Sequence, residues 1–175
     1  MLGKRLILKT LGRESRLWLG GRSWRAAIGR GGLAVDKREG DGATPVGCWP
    51  LRELLVRPDR AAFPSCGLPA RATAETEGWC DAPDHPDYNR PVRLPFDASH
   101  ERLWRDDALY DLIVPLGYND EPPRPGLGSA IFLHVAREDY SPTEGCIALA
   151  KADLMGLLPV LGPGDEILVL PPEKD

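Results

Sequence analysis

No uninterrupted apolar run in the 175 residues approaches the ~18 needed to cross a bilayer as a helix, so no membrane span is expected. The Lys4-Arg5 start precedes an apolar stretch that Lys9 interrupts. That is too short for a secretory h-region of roughly 7 to 15 residues, and no signal peptide is visible. Cys48, Cys66, Cys80 and Cys146 include no C-x-x-C pair, which disfavours a zinc ribbon or a thioredoxin-type motif. If one cysteine is catalytic, at most one disulfide can form among the other three. A basic excess is missing too. The net charge of -4 and pI near 5.4 leave no footprint for nucleic acid or an anionic membrane surface as main partner. Internal repeats, low-complexity tracts and long helical periods are also absent.

What the chain has is punctuation. Glycine and proline supply 37 residues (19 + 18) of 175 and break the sequence into short apolar segments, a pattern of β structure. Expected strands are Arg5 to Thr10, Arg16 to Leu19, Ser23 to Ile28, Gly47 to Val56, Asp111 to Leu116, Ser129 to Val135 and Glu166 to Leu170. Gly20-Gly21 marks a tight turn. One helix is expected over Lys151 to Leu158, where Leu154, Leu157 and Leu158 share a face before Pro159 and Gly162 close it. The length fits one domain over residues 1–175. The aperiodic stretch at about 58–99 reads as an irregular insertion forming one wall of a cleft.

Chemistry concentrates in S-A-I-F-L-H-V-A-R-E-D-Y-S-P-T-E-G-C-I, residues 129–147. A strand delivers His134, and a hairpin-like return brings Cys146 back twelve positions later (146 - 134). A nucleophilic cysteine needs a base, because the thiolate attacks and a free thiol is mostly protonated at neutral pH. Histidine titrates in that range. Gly145 permits close backbone approach, and the amides of Gly145 and Cys146 are candidate oxyanion donors. Taken alone, the pair reads first as a buried structural cysteine beside a satisfied core histidine.

Three further features raise the specificity: the H-x(11)-C spacing ending in T-x-G-C-I, D-G-A-T-P-V-G at Asp41 to Gly47, and the terminal G-D-E-I-L-V strand. Together they resemble the YkuD-type L,D-transpeptidase domain over roughly residues 5 to 170. K-R-E-G-D-G-A-T-P-V-G and G-W-C-D resemble a bacterial branch carrying this domain alone. The resemblance implies a mainly β fold, sandwich- or barrel-like, with one or two short helices. It also implies that Cys146 attacks the amide after the diamino acid of a peptidoglycan stem tetrapeptide and releases D-alanine. An amine then resolves the acyl-enzyme into a 3→3 cross-link, or water resolves it as a carboxypeptidase. His134 would be the base, oriented by the backbone carbonyl of Val135, and carbapenems would acylate the cysteine. Covalent cysteine catalysis requires no cofactor or metal. The substrate implies the periplasm or cell-wall side, although without a visible signal peptide a cytoplasmic role on recycled muropeptides stays open, as does oligomeric state.

Two positions depart from the family pattern S-H-G-C-x-R. Glu144 stands where a histidine is usual, and Ala148 where an arginine would anchor a carboxylate. Arg137, Arg90 and Lys151 are the candidate replacements. Thr143, Tyr88, Asn89, Arg90, Tyr118 and Asn119 are candidate cleft residues for substrate, and for most of them a turn is the alternative. Thr44-Pro45-Val46-Gly47 reads first as a turn into a strand. The Cys80-to-Arg90 segment gathers carboxylates without a metal-ligand spacing and reads as a solvated loop. A hydrolase on the same scaffold and a non-catalytic peptidoglycan-binding domain are the competing functions.

Overall fold

The computed structural model describes residues 3–172, and the outermost ends of the unit expected over 1–175 lie outside the described residues. The first three strands, β1 (Arg5–Leu11), β2 (Glu14–Leu19) and β3 (Arg22–Ala27), form an antiparallel meander. Its second turn uses Gly20 at φ +58, a conformation that glycine adopts without steric cost. Short β4 (Leu33–Ala34) and β5 (Thr44–Pro45) pair in parallel, and β6 (Gly47–Pro50), β7 (Leu54–Val56) and β8 (Ala70–Ala72) follow. Then come β9 (Glu77–Cys80), β10 (Pro91–Arg93), β11 (His100–Arg102), β12 (Leu112–Pro115), β13 (Phe132–Val135) and β14 (Ile147–Leu149). Helix α1 (Lys151–Leu157), a 3₁₀ turn (Leu158–Val160) and β15 (Glu166–Val169) complete the chain.

The fold is mainly β. Ten strands form one sheet in the order β6-β15-β1-β2-β3-β14-β13-β12-β7-β8. It curls, because consecutive β6 and β7 lie near opposite edges. The strand expected over Gly47 to Val56 is therefore broken in two. Between its halves Leu51 bridges Leu116, Arg52 N–H donates to Pro115 O at 3.1 Å and Leu51 N–H donates to Asp165 O at 2.9 Å. Those bonds turn the chain from one edge toward the other.

The segment 58–99, expected as irregular, carries three short strands among its turns. It contributes β8 to the large sheet, and β9 and β10 join β11 in a three-stranded sheet of order β10-β9-β11. Its strands are only three or four residues long, too short to show an alternation in sequence.

Central strands β13 and β14 are buried throughout, as expected of strands covered on both faces. Alternation divides them. Leu133, Val135, Ile147 and Leu149 join Leu154, Leu157 and Leu158 in the larger core, which explains why the short helix docks there. Phe132 and Cys146 join Leu55, Leu103, Tyr110 and Ile113 in a second cluster on the other face. By the same alternation His134 falls on this second face. Among the described residues no helix is long and apolar enough to cross a membrane.

Candidate active site

Strands β13 and β14 run parallel, with Leu133 opposite Ile147, His134 opposite Ala148 and Val135 opposite Leu149. The hairpin-like return expected between His134 and Cys146 is thus replaced by a crossover. A parallel neighbour requires the connecting chain to travel back along the strand. Residues 136–146 do this, and Thr143 is stitched beside β3 through Thr143 N–H to Ile28 O at 2.9 Å and Arg30 N–H to Thr143 O at 2.8 Å. Cys146 arrives next to Phe132, whose N–H donates to its Sγ at 3.3 Å. His134 lies two residues further on the same face, one diagonal step from the thiol.

Both side chains line a cleft of about 880 Å³, bounded also by Glu101, Trp104, Arg105, Asp107, Tyr110, Ala130, Arg137, Thr143, Glu144 and Ala148. The wall expected from 58–99 comes mainly from residues 100–107, with Asp81 the contributor from the earlier segment.

The thiol is 7 % exposed and donates to Ala130 O at 3.2 Å. Burial, followed by the charge of Glu101, pushes its pKa up to about 12. The His134 ring places Nδ1 at 2.8 Å from Val135 O. A carbonyl only accepts, so Nδ1 carries the proton and Nε2 keeps a lone pair. Burial lowers the His134 pKa to about 4. At neutral pH the resting pair is therefore thiol and neutral imidazole. Tyr110 packs edge-on to His134 at 5.2 Å between centroids and donates its hydroxyl proton to Glu101 Oε1 at 2.5 Å.

The loop ahead of Cys146 is clamped from behind by Thr44, which is fully buried. Its Oγ1 donates to Gly145 O at 2.8 Å and accepts Gly29 N–H at 2.9 Å. Gly145 sits at φ +132, and a Cβ there would meet Ala43 O at 2.8 Å. Only glycine fits. The Gly145 N–H, expected as an oxyanion donor, is directed at Thr143 Oγ1 at 3.2 Å, while that hydroxyl donates to Cys146 O at 2.6 Å. Serving an oxyanion would require the Gly145 amide to leave Thr143.

Of the expected substrate contacts, Thr143 and Arg137 line the cleft. Tyr88, Asn89, Arg90, Tyr118 and Asn119 do not. Tyr88 and Asn89 are 3 % and 4 % exposed, and their polar atoms are used inside the fold. Asn89 Oδ1 accepts from Trp79 Nε1 at 2.9 Å and Ala130 N–H at 3.0 Å, while Nδ2 donates to Tyr118 O and Asn119 O. This fixes Ala130 at φ +51 with its carbonyl on the thiol. Tyr88 donates to Glu39 Oε2 at 2.5 Å. Asn119 Nδ2 donates to Gly128 O at 2.8 Å and Tyr118 donates to Leu127 O, so both brace the loop ahead of Ser129.

The charge of Glu144 is taken up by Arg30, whose Nε lies 2.8 Å from Oε2. Of the cations named as replacements for the missing arginine, Lys151 is held by Asp111 at 2.7 Å, whereas Arg137 borders the cleft. All four cysteines are free. Among the described residues no group of three or more His, Cys, Asp or Glu could hold a metal ion. Tyr110, Glu101 and Arg105 were missed, since they sit in short turns and strands without a motif. Thr44 carried a signal, the T-P-x-G element, but that element reads first as a turn into a strand.

A family model described as YkuD, the L,D-transpeptidase catalytic domain, matches residues 10–169. Comparison with curated proteins and with solved structures gives no match.

Two outcomes are expected. Thr44→Val leaves Gly29 N–H and Gly145 C=O without their buried partner and is expected to lower unfolding stability by roughly 1–3 kcal/mol per group in urea titration, while Thr44→Ser restores it. The buried His134 has its pKa lowered to about 4 from the unfolded value near 6.5. Between those values the unfolded chain binds the extra proton, so this stability is complete above about pH 6.5 and is lost as pH falls toward 4. Between pH 7 and 4.5 the native chain is expected to lose roughly 2–3 kcal/mol more than His134→Gln. Equal losses would place the ring in water.

Proposed function

The chain belongs to the YkuD family of L,D-transpeptidase catalytic domains, and from that premise we propose that it is a cysteine-dependent acyltransferase acting on peptidoglycan stem peptides. The observation that carries this reading is the thiol of Cys146 and the imidazole of His134 on one face of the β13–β14 pair, at a cleft, within a chain of this family.

The steps follow from the resting protonation states. His134 Nε2 takes the thiol proton as sulfur attacks the carbonyl carbon of the diamino acid, in the amide it forms with D-alanine. The His134 Nδ1–H stays on Val135 O, which stabilises the imidazolium formed. Coupling proton transfer to attack avoids a free thiolate in a buried, acidic setting. The developing oxyanion recruits backbone amides, Gly145 N–H exchanging Thr143 Oγ1 for the stronger charged acceptor. Collapse expels D-alanine, which takes its proton from the imidazolium. Neutral His134 then deprotonates the incoming amine as it attacks the thioester carbonyl, the C–S bond breaks, Cys146 sulfur recovers its proton from the imidazolium, and a 3→3 cross-link results. Thr143, Arg137 and Arg105 are the cleft side chains best placed to hold the peptide. Carbapenems, as acylating mimics of the donor, are expected to label Cys146. Acting on the intact wall implies the periplasm or cell-wall side, and acting on recycled fragments implies the cytoplasm.

A second reading, an L,D-carboxypeptidase, is favoured by one observation. Ala148, directly opposite His134, replaces the family arginine, removing a cation that would anchor a carboxylate. Incubation with a tetrapeptide donor and a separate acceptor distinguishes them by mass. Cross-linked dimer is expected, and its loss in Cys146→Ala and in His134→Ala. Tripeptide alone would establish hydrolysis instead, and neither product from the folded native protein would leave a binding domain.

A further inference from the structure

Tyr110 occupies a position for which the reaction above gives no use. It is 4 % exposed, packs edge-on against both Phe132 and His134, and belongs to the same buried cluster as Cys146. Its hydroxyl has a single proton, which it donates to Glu101 Oε1. Glu101 comes from β11 of the small sheet and, like Tyr110, borders the cleft that holds the thiol.

We propose that Glu101, acting through the Tyr110 hydroxyl, is a positioning residue that keeps the Cys146 thiol protonated while the cleft is empty. This rests on the reading of Cys146 as nucleophile. The carboxylate holds the phenol proton, so that proton cannot reach sulfur. Once the carboxylate loses its charge, to a proton or to a cation arriving with substrate, the hydroxyl is free to donate to the thiolate. The two effects of Glu101 on sulfur, withdrawing a donor and repelling negative charge, act in the same direction.

Glu101 meets Tyr110 and Arg105, which favour its charged form, and Asp81 and Glu144, which oppose it. Burial is the largest influence and pushes its pKa up. The thiol meets Glu101, which raises its pKa, and Phe132 N–H, Lys37 and Tyr110, which lower it. Glu101 is thus the carboxyl whose charge weighs most on sulfur, and Tyr110, hydrogen-bonded to it, lies in the same buried cluster as Cys146.

The test is alkylation of Cys146 by iodoacetamide from pH 6 to 10, followed by peptide mass spectrometry on native protein, Glu101→Gln, Tyr110→Phe and the double variant. Glutamine removes the charge and leaves the phenol only a neutral, weaker acceptor, which a thiolate outcompetes. Glu101→Gln is expected to raise the rate at pH 7.5 at least about tenfold, the equivalent of one pKa unit. In the Tyr110→Phe background the gain from Glu101→Gln is expected to shrink at least about threefold. No acceleration in Glu101→Gln, or a gain undiminished by loss of the hydroxyl, overturns the proposal. Cys80, fully buried, reports folding in the same digest by staying unlabelled. Iodoacetamide needs no peptide, so failure of this dyad and failure of the transfer reaction are separate results.

Discussion

Parallel pairing of β13 with β14 is the constraint on which the rest of the site depends. It sets His134 opposite Ala148 and brings Cys146 beside Phe132, on the face away from the larger core. A slip of one residue would send the imidazole or the thiol into the Leu133–Ile147 face. Register is secured at both ends. Leu133, Val135, Ile147 and Leu149 are locked into the core with the helix, and Thr44 holds the carbonyl of Gly145 just before Cys146. The geometry of the site and core packing are consequently one property of the same two strands.

The second theme is neutrality. A buried thiol with its pKa near 12 and a buried imidazole near 4 do not exchange a proton at rest. An ion pair would have to be bought against desolvation, whereas a neutral pair packs beside Phe132 and Tyr110 at little cost. In the proposed reaction, nucleophilicity then appears only when a substrate carbonyl offers the developing charge a place to go. The carboxyls of Glu101 and Glu144 are managed in different ways, the first by Tyr110 inside the cleft and the second by Arg30 at its mouth.

Much of this was legible in the sequence because it rests on short-range rules. Apolar segments between Gly and Pro gave the meander, β12, β13 and β15, and the Leu154-Leu157-Leu158 spacing gave the helix. Three things were not. The break at Leu51 comes from partners at Pro115 and Asp165, far along the chain. The strands inside 58–99 are made by pairing with one another and with β7, not by their own composition. The direction of the return to Cys146 is set by pairing, and spacing alone suits a hairpin and a crossover alike. The same limit applied to the cleft. Tyr88 and Asn89 have the residue types of ligand contacts, yet their hydrogen bonds close inward on Glu39, Trp79 and Ala130. Tyr110, in an unremarkable L-Y-D, packs on His134 and shares the buried cluster of Cys146.

The molecule that emerges keeps one cysteine and one histidine at the centre of a curled sheet, with a small second sheet and residues 100–107 closing the cleft around them. The most direct test of the central claim is intact-protein mass spectrometry after mixing with a stem tetrapeptide and quenching in acid within seconds. The native protein is expected to gain the mass of the tetrapeptide less D-alanine, as a thioester mapped to Cys146, and Cys146→Ala is expected to gain nothing. The same adduct on Cys146→Ala, or an adduct retaining D-alanine, would contradict it.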